Sequence, residues 1–268
     1  MPEGDNVWQT ARRLDVLSGR TLTRSDFRVP SLATVDLTGR RVLETVSRGK
    51  HLLTRVEGGV TVHSHLRMEG RWDVQAAGSP WRRPAHQARV VLQTGTHQAI
   101  GFAVVLDVLA TDDEDDVVGH LGPDLLGPDW DQAEAVRRLE QSPDTPLGEA
   151  LLDQRNLAGL GNIYKSELLF LSGLAPSRRV GDVPDLGKVV ALGHRLIVAN
   201  RDRLRRVTTG VDRPGQSLWV YDRGGRPCRR CGTPISAEDH GPAGAERVTY
   251  WCPSCQPGGP ASPGSSNG

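Results

Sequence analysis

A chain of 268 residues and 29.1 kDa exceeds the usual length of one domain, so we expect two domains with a sizeable core. The formal net charge of +1 gives no strong argument for a polyanionic partner. No stretch approaches the roughly 20 apolar residues of a membrane span, and no signal-like leader opens the chain. We therefore expect a cytoplasmic protein without membrane association.

The balanced total charge hides local runs. The acidic run DDEDD at 112–116 is typical of a solvated face. Arginines concentrate near the C-terminus and predict a basic region there: Arg223, Arg226, Arg229 and Arg230.

The first half of the chain begins with a helical pattern and continues with β-type patterns. Apolar residues at helical spacing between Asp5 and Ser18 predict a helix that Gly19 closes. From about 21 to 110, short β-type runs joined by turns predict a sandwich or a barrel. The clearest runs are 41–46, 51–56, 60–66, 88–94 and 98–108.

The second half is helical in character, which makes the fold class α+β. The Gly- and Pro-rich stretch 119–130 indicates a hinge. The predicted helices are 131–141, 147–153, 163–172 and 184–206. Between two of them, DQRNLAGLGN at 153–162 joins helices through a glycine-bearing turn, a frequent DNA-docking device that more often serves packing alone.

All four cysteines lie in two CxxC pairs separated by twenty residues: Cys228, Cys231, Cys252 and Cys255. This spacing is typical of a structural zinc site in which four thiolates leave no position for a catalytic water. The intervening segment carries Arg247 with aromatic neighbours, a set suited to a nucleic-acid backbone. Zinc ribbons also bind proteins, so the cysteines alone do not decide the partner.

Two histidines on a predicted strand, His63 and His65, are two residues apart and face the same way. The sequence shows no carboxylate or third ligand beside them, so we expect no metal site there.

The first residues, MPEG, raise a chemical question. If the initiator methionine is removed, Pro2 presents a free secondary amine, a group that no internal residue supplies. By themselves these residues favour the simpler interpretation of a translation start with Pro near the first turn of a helix.

Four motifs in order resemble the formamidopyrimidine-DNA glycosylase and endonuclease VIII family: MPEG, RGK at 48–50, LAGLGNIY at 157–164, and the paired cysteines with RVTYWC at 247–252. The resemblance runs from residue 2 to about 256. It implies a bifunctional base-excision repair enzyme that removes an oxidised base and cuts the strand at the abasic site. The implied partner is damaged DNA. We expect a monomer with one structural zinc ion and no nucleotide cofactor, associated with the nucleoid if the source is a prokaryote.

The resemblance also implies an N-terminal β-sandwich carrying the first helix, followed by a helix-two-turn-helix domain with a zinc finger. The predicted boundaries are 1–122 for the sandwich, 123–130 for a hinge, 131–218 for the helical domain, 219–256 for the finger and 257–268 for a disordered tail.

The implied catalytic residues are Pro2, Glu3, Lys50 and Arg247. An α-amino group, with an ordinary pKa of about 8, is deprotonated near neutral pH far more than a lysine. Pro2 is thus assigned as the nucleophile, and Glu3 as the general acid that protonates the sugar ring oxygen. Glu3 at a helix start also stabilises the helix dipole, and both roles can hold.

The implied DNA contacts are Lys50, Arg67, Met68, Asn162 and Arg247. Lys50, Asn162 and Arg247 resemble the residues with which the family clamps phosphates around the lesion. Because a flipped nucleotide leaves a gap, Met68 in HLRMEGRW is assigned as the wedge that fills it, with Arg67 and Glu69 beside it.

The sequence departs from the family at two places. It opens PEGDN where PEGPE is frequent, which puts the contribution of the later acid in doubt. The stretch before the finger, 205–228, is compact, whereas members that excise oxidised purines carry a long loop there. This favours oxidised pyrimidines, with an oxidised-purine glycosylase as the alternative. Two other classes stay open: a catalytically inactive DNA-binding zinc protein and a zinc-ribbon protein-interaction module.

Overall fold

In a computed structural model, the chain forms two compact units, residues 1–121 and 122–268, called here the first and second units. The structure describes residues 2–241, 244 and 246–258. Most of the predicted tail lies outside this range. No described helix has the length and apolar character needed to cross a membrane.

The first unit opens with helix α1 (Gly4–Leu14), which a short 3₁₀ turn extends to Leu17. Val7, Leu14 and Leu17 are fully buried, as the helical spacing of the apolar residues predicts. Gly19 follows with a φ of +75°, a left-handed conformation that suits glycine.

The strands of the first unit form two antiparallel sheets. The strands are β1 (Leu22–Phe27), β2 (Val42–Arg48), β3 (His51–Val56), β4 (Val60–His65), β5 (Arg71–Ala76), β6 (Ala88–Thr94), β7 (His97–Phe102) and β8 (Val105–Ala110). One sheet has the order β1-β6-β7-β5 and the other β2-β3-β4-β8. A single hydrophobic core combines side chains from both sheets and from α1, including Leu14, Leu52, Val90 and Leu92. The predicted sandwich is confirmed.

The predicted continuous run at 98–108 is wrong. The chain leaves one sheet after Phe102 and enters the other at Val105. Between them Ala103 has a φ of +51°, a conformation that breaks the extended backbone. The apolar pattern alone cannot show this because both strands are apolar.

A short helix α2 (Asp115–Val118) closes the first unit. The acidic run around it is exposed except at Glu114. The Glu114 carboxylate accepts from Arg55 at 2.7 Å and from the Thr61 hydroxyl at 2.7 Å. The interpretation of this run as a solvated face is therefore wrong for Glu114.

The second unit contains helices α3 (Gln132–Glu140), α4 (Leu147–Ala150), α5 (Asn162–Ser172) and α6 (Leu186–Asn200). Helix α3 is capped by Asp131 and α6 by Asp185, whose side chains accept from backbone N–H groups. Nearly every residue of α5 is buried, so this helix lies at the centre of the unit.

Helix α6 ends at Asn200, short of its predicted end at 206, because Asn200 captures the chain that follows. The Asn200 side chain accepts from Val207 N–H at 2.7 Å and donates to Val207 C=O at 3.1 Å. Asn200 is buried, so this closed loop replaces the last predicted turns of the helix.

The finger follows as a hairpin of β9 (Ser236–His240) and β10 (Arg247–Trp251). Its small core contains Val220, Ile235, Cys228 and Cys252 together with Phe170 of α5. The finger and α5 therefore share apolar packing. The confirmed fold class is α+β with an N-terminal sandwich, a helical middle and a four-cysteine finger.

Candidate functional site

The N-terminal residues stand at the start of α1. Glu3 is the N-cap residue and is fully buried, while Pro2 before it is half-buried. The Asn6 side chain accepts from Glu3 N–H at 3.4 Å. Pro2 and Glu3 are thus adjacent at the positive end of a helix dipole, where a carboxylate is stabilised.

Lys50 lies in the turn between β2 and β3. Arg48 pairs with His51, so Gly49 and Lys50 form a two-residue turn, and Gly49 has a φ of +57°. The glycine is required because this turn demands a left-handed residue. The half-buried Lys50 is therefore presented at a rigid hairpin end of the first unit.

Residues 66–70, called here the tip loop, connect β4 to β5. Leu66 and Gly70 are buried, whereas the side chains between them are exposed, with Met68 62% accessible. An exposed methionine between buried anchors is not a core residue. The predicted wedge position is thus accessible, with Arg67 and Glu69 exposed beside it.

The sequence did not show the side chains that the fold places beside His63 and His65, although these do not form a metal-ligating group among the described residues. His51 on β3 lies 2.8 Å from His63, measured from Nδ1 to Nε2, and Asp107 on β8 lies 3.4 Å from Nδ1 of His63. The His51 ring stacks on His63 and meets the edge of His65. Burial, together with nearby positive charges, lowers the pKa of His51 to about 3 and that of His65 to about 4.

Asn162 is the first residue of α5, as predicted. Its Nδ2 donates to the C=O of Val248 on β10 at 2.8 Å, while its buried Oδ1 has no hydrogen-bond partner among the residues that the structure describes. The amide therefore ties the helix start to the finger hairpin. Arg247, the first residue of β10, is exposed one residue before this contact. The second unit thus brings Asn162 and Arg247 to the same hairpin strand.

Three of the four arginines in the predicted basic region near the C-terminus make contacts within the second unit. Arg223 is buried and donates to the C=O of Pro227 at 2.8 Å, and burial lowers its pKa. Arg229 donates to the C=O of Leu218, and the Arg230 guanidinium lies 4.5 Å from the Phe170 ring centroid. These arginines hold loops and aromatic side chains in place.

Two buried charged residues of α5 were missed by the sequence interpretation. The Glu167 carboxylate accepts from three consecutive backbone N–H groups, those of Trp219, Val220 and Tyr221, at 2.8 to 2.9 Å. It also accepts from the Thr208 hydroxyl. Lys165 donates from Nζ to Thr249 Oγ1 at 2.6 Å. The only signal in the sequence is a pair of charges inside an otherwise apolar helix.

The four cysteines converge in the finger. Their sulfur atoms all lie within 4.8 Å of one another, with Cys231 and Cys252 3.4 Å apart and Cys228 and Cys255 4.0 Å apart. Tetrahedral zinc with Zn–S bonds of about 2.3 Å needs sulfurs separated by about 3.8 Å. The distances exceed a disulfide bond and fit one zinc ion, so the predicted structural zinc site is confirmed.

The surroundings of the sulfurs also suit a metal. Hydrogen bonds from Thr233 lower the pKa of Cys231 to about 6 and favour its thiolate, whereas burial raises the pKa of Cys252 and raises that of Cys255 to about 12. The backbone N–H of Cys252 donates to Oε1 of the buried Gln256, whose Nε2 donates to the C=O of Leu174. Gln256 therefore fixes the second CxxC turn to the chain after α5. A bound zinc would fold the finger and leave no open position for catalysis.

A β-sandwich followed by a helical unit with a four-cysteine finger defines a class of two-unit zinc-finger proteins. Residues 1–103 match the formamidopyrimidine-DNA glycosylase N-terminal domain, 121–185 the H2TH domain of the same proteins, and 225–258 the zinc finger found in FPG and IleRS. The chain belongs to the formamidopyrimidine-DNA glycosylase and endonuclease VIII family.

The sequence is similar to that of its relatives along nearly the whole length of the chain. The chain is 59% identical to a probable endonuclease 8 2 of Streptomyces coelicolor, over all of this chain and 98% of that one. It is 50% identical to the DNA-(apurinic or apyrimidinic site) lyase Nei2 of Mycolicibacterium smegmatis, over 96% and 99%. A solved MutM structure in complex with carbocyclic 8-oxo-G containing DNA has a TM-score of 0.77 at 24% identity, over 96% and 100%, and shows the shared fold.

Proposed function

We propose that this protein is a bifunctional DNA glycosylase and AP lyase of base excision repair that acts on oxidised pyrimidines. The observation that carries the proposal is the Pro2-Glu3 pair at the start of α1, in a chain that belongs to this family over its whole length. Pro2 supplies the nucleophile and Glu3 the proton.

The reaction begins when the neutral amine of Pro2 attacks C1′ of the damaged nucleotide. The glycosidic bond breaks, the base leaves with the bonding electron pair, and the proton that the amine nitrogen loses is taken up by the departing base. Glu3 donates a proton to the ring oxygen, the ring opens, and the amine nitrogen and C1′ become an iminium. A secondary amine gives an iminium that is positively charged without protonation. It therefore draws the electron pair of the adjacent C2′–H bond as that proton passes to solvent, and the resulting enamine expels the 3′ phosphate by breaking the C3′–O bond.

Each unit supplies its own contacts to the DNA backbone. Lys50 contacts phosphate from the hairpin turn of the first unit. Asn162 and Arg247 contact phosphates from the second unit, where the N-terminus of α5 favours an anion. The support is the position of Asn162 at that helix start and the exposure of Arg247 on β10.

The tip loop fills the gap that the extruded nucleotide leaves. Met68 inserts between the bases as an apolar wedge, with Arg67 beside it. The support for this role is the 62% exposure of a methionine that no core packing explains.

The choice of oxidised pyrimidines as substrates rests on the segment before the finger. The segment before the finger folds back on itself, because Thr208 N–H donates to Ser217 C=O at 2.8 Å and the Thr209 hydroxyl donates to Gln216 C=O at 2.8 Å. All of residues 205–228 are described, and they form a compact loop. A compact loop favours an oxidised pyrimidine over an oxidised purine, which needs a longer cover. The cytoplasmic and nucleoid-associated location follows from the same function.

Borohydride trapping on three duplexes tests the function. The duplexes carry thymine glycol, an oxidised purine or an abasic site, and a covalent adduct forms only where an iminium forms. An adduct with thymine glycol exceeding that with the purine supports the proposal, and the reverse order supports the purine alternative. No adduct with any duplex leaves a catalytically inactive DNA-binding zinc protein. Mass spectrometry of the intact protein gives a first check, because retained Met1 would block the Pro2 amine.

A further inference from the structure

The tip loop is a closed turn rather than an open connection. Gly70 N–H donates to Leu66 C=O at 2.8 Å and closes the loop at its base. A Cβ at Gly70 would lie 2.4 Å from that carbonyl oxygen and 3.0 Å from the C=O of Ala103, so only glycine fits. The base of the loop therefore lies against the backbone at Ala103, where the chain crosses from β7 to β8.

Inside this turn, Arg67 adopts a conformation that disfavours most residues. Its φ is +51°, although it is not glycine. Strain of this kind persists only where the surroundings hold it. The Arg67 N–H donates to Nδ1 of His65 at 2.9 Å, and this is the contact that holds the backbone at the strained residue.

The hydrogen bond fixes the state of the His65 ring. Nδ1 accepts from an N–H, so it carries no proton, and a neutral His65 then holds its proton on Nε2. Burial keeps His65 neutral, in agreement with its lowered pKa of about 4.

His65 is in turn packed against a fixed partner. The Asp107 carboxylate accepts from Nδ1–H of His63, which leaves Nε2 of His63 as the acceptor for Nδ1–H of His51. This order anchors the His51 ring, whose centroid lies 5.0 Å from that of His65 in an edge-to-face contact. The hydrogen-bonded series that supports His65 thus has one member from each of three strands: His51 of β3, His63 of β4 and Asp107 of β8.

We propose that His65 is a positioning residue for the wedge: its Nδ1 holds Arg67 in the left-handed conformation, which directs Met68 out of the loop. This inference rests on the proposed function in one respect, the insertion of Met68 into DNA. The ordering of the loop itself is a property of the free protein.

A matched pair of substitutions tests the roles of the two ring nitrogens of His65 separately. In His65→Asn the amide oxygen replaces Nδ1 and still accepts from Arg67 N–H. In His65→Gln the amide group reaches the position of Nε2 and leaves Arg67 N–H without its acceptor. Both variants remove the same imidazole ring, so a loss of packing affects them alike.

The first measurement is hydrogen exchange of the Arg67 amide in DNA-free protein. We expect slow exchange in the wild type and in His65→Asn, and exchange about tenfold faster in His65→Gln, the effect of losing one hydrogen bond. Equal exchange in the two variants, whether fast or slow, would overturn the proposal. So would faster exchange in His65→Asn than in His65→Gln.

The second measurement is the fluorescence of 2-aminopurine next to a tetrahydrofuran abasic-site analogue in duplex DNA, which rises when a wedge unstacks the base. We expect the wild-type rise in His65→Asn and its loss in both His65→Gln and Met68→Ala. A full rise in Met68→Ala would reject Met68 as the wedge while the exchange result still decides the role of His65. Failure of borohydride trapping in the wild type would reject the proposed function and leave both measurements intact.

Discussion

The ammonium group of Lys165 donates a hydrogen bond to the hydroxyl of Thr249 over 2.6 Å, in the buried contact between α5 and β10. The Thr249 hydroxyl also donates to the C=O of Arg247 at 3.2 Å. One buried threonine thus connects the central helix to the strand residue proposed to grip phosphate. The finger hairpin is held by α5 as well as by its zinc.

Thr249→Val should weaken this connection. Valine has a similar shape but no hydroxyl, so the buried Lys165 loses one acceptor at a cost of about 1 to 3 kcal/mol in the free energy of unfolding. Thr249→Ser keeps the hydroxyl and is the matched control. Urea unfolding measures both variants, and equal stability of the two would show that the hydroxyl contributes nothing.

Glu167→Gln should be more destabilising, since the carboxylate accepts from three backbone N–H groups and one hydroxyl. The neutral amide has a single acceptor oxygen, and its NH₂ group faces donors. We expect a loss of about 2 to 4 kcal/mol in the free energy of unfolding, measured with urea. Glu134→Gln, on the surface of α3, is the control and should change stability little. Similar losses in both variants would contradict a special role for Glu167.

Glu3→Gln should separate the two proposed activities. Without a proton donor, base release from thymine glycol should fall by about a hundredfold to ten-thousandfold. Cleavage at a preformed abasic site should persist, because the Pro2 amine remains. Single-turnover rates on the two substrates measure the split. Asp15→Asn, at an exposed residue directly after α1, is the control. An equal loss of rate on both substrates in Glu3→Gln would reject Glu3 as the acid for base release.

Zinc removal should unfold the finger. Because the four thiolates are held together mainly by the ion, a strong chelator should release one zinc per chain and expose the fully buried Trp251. We expect a shift in tryptophan fluorescence together with loss of binding to abasic-site DNA. Re-addition of zinc should restore both, and a chelated protein that still binds DNA with full affinity would contradict the prediction.

Acid should destabilise the first unit through its histidine stack. The folded state holds His51 with a pKa of about 3 and His65 with a pKa of about 4, whereas the unfolded chain has values near 6.5. Between pH 4 and 6.5 the unfolded state therefore binds more protons, and the free energy of unfolding falls as the pH falls.

His51→Phe keeps the ring and removes one of these titrating groups. The free energy of unfolding of the variant should therefore depend less steeply on pH between about 4 and 6.5, and the difference between the two curves gives the contribution of His51. Parallel curves would show that His51 does not titrate on unfolding. The carboxylates that also titrate in this range are the same in both proteins, so their contribution cancels in the comparison.

The sequence by itself determined the elements and the chemistry that depends on adjacency. Helix α1, the short strands and the zinc ligands follow from periodicity and from spacing, which are local properties of the chain. The Pro2-Glu3 pair is likewise contiguous. The catalytic roles of Pro2 and Glu3 stay predictions that the experiments above test, and the roles proposed for Lys50, Asn162 and Arg247 stay predictions as well.

Only the tertiary structure decided which distant residues meet. Asp107 joins His63 because β8 pairs with β4, and Thr249 meets Lys165 because the finger hairpin lies on α5. The sequence also missed the strand break at Ala103 and the early end of α6 at Asn200. Those features arise from a strained backbone residue and from a side chain that captures a segment seven residues away. Such contacts depend on how the chain folds back on itself, and a local sequence pattern does not predict that.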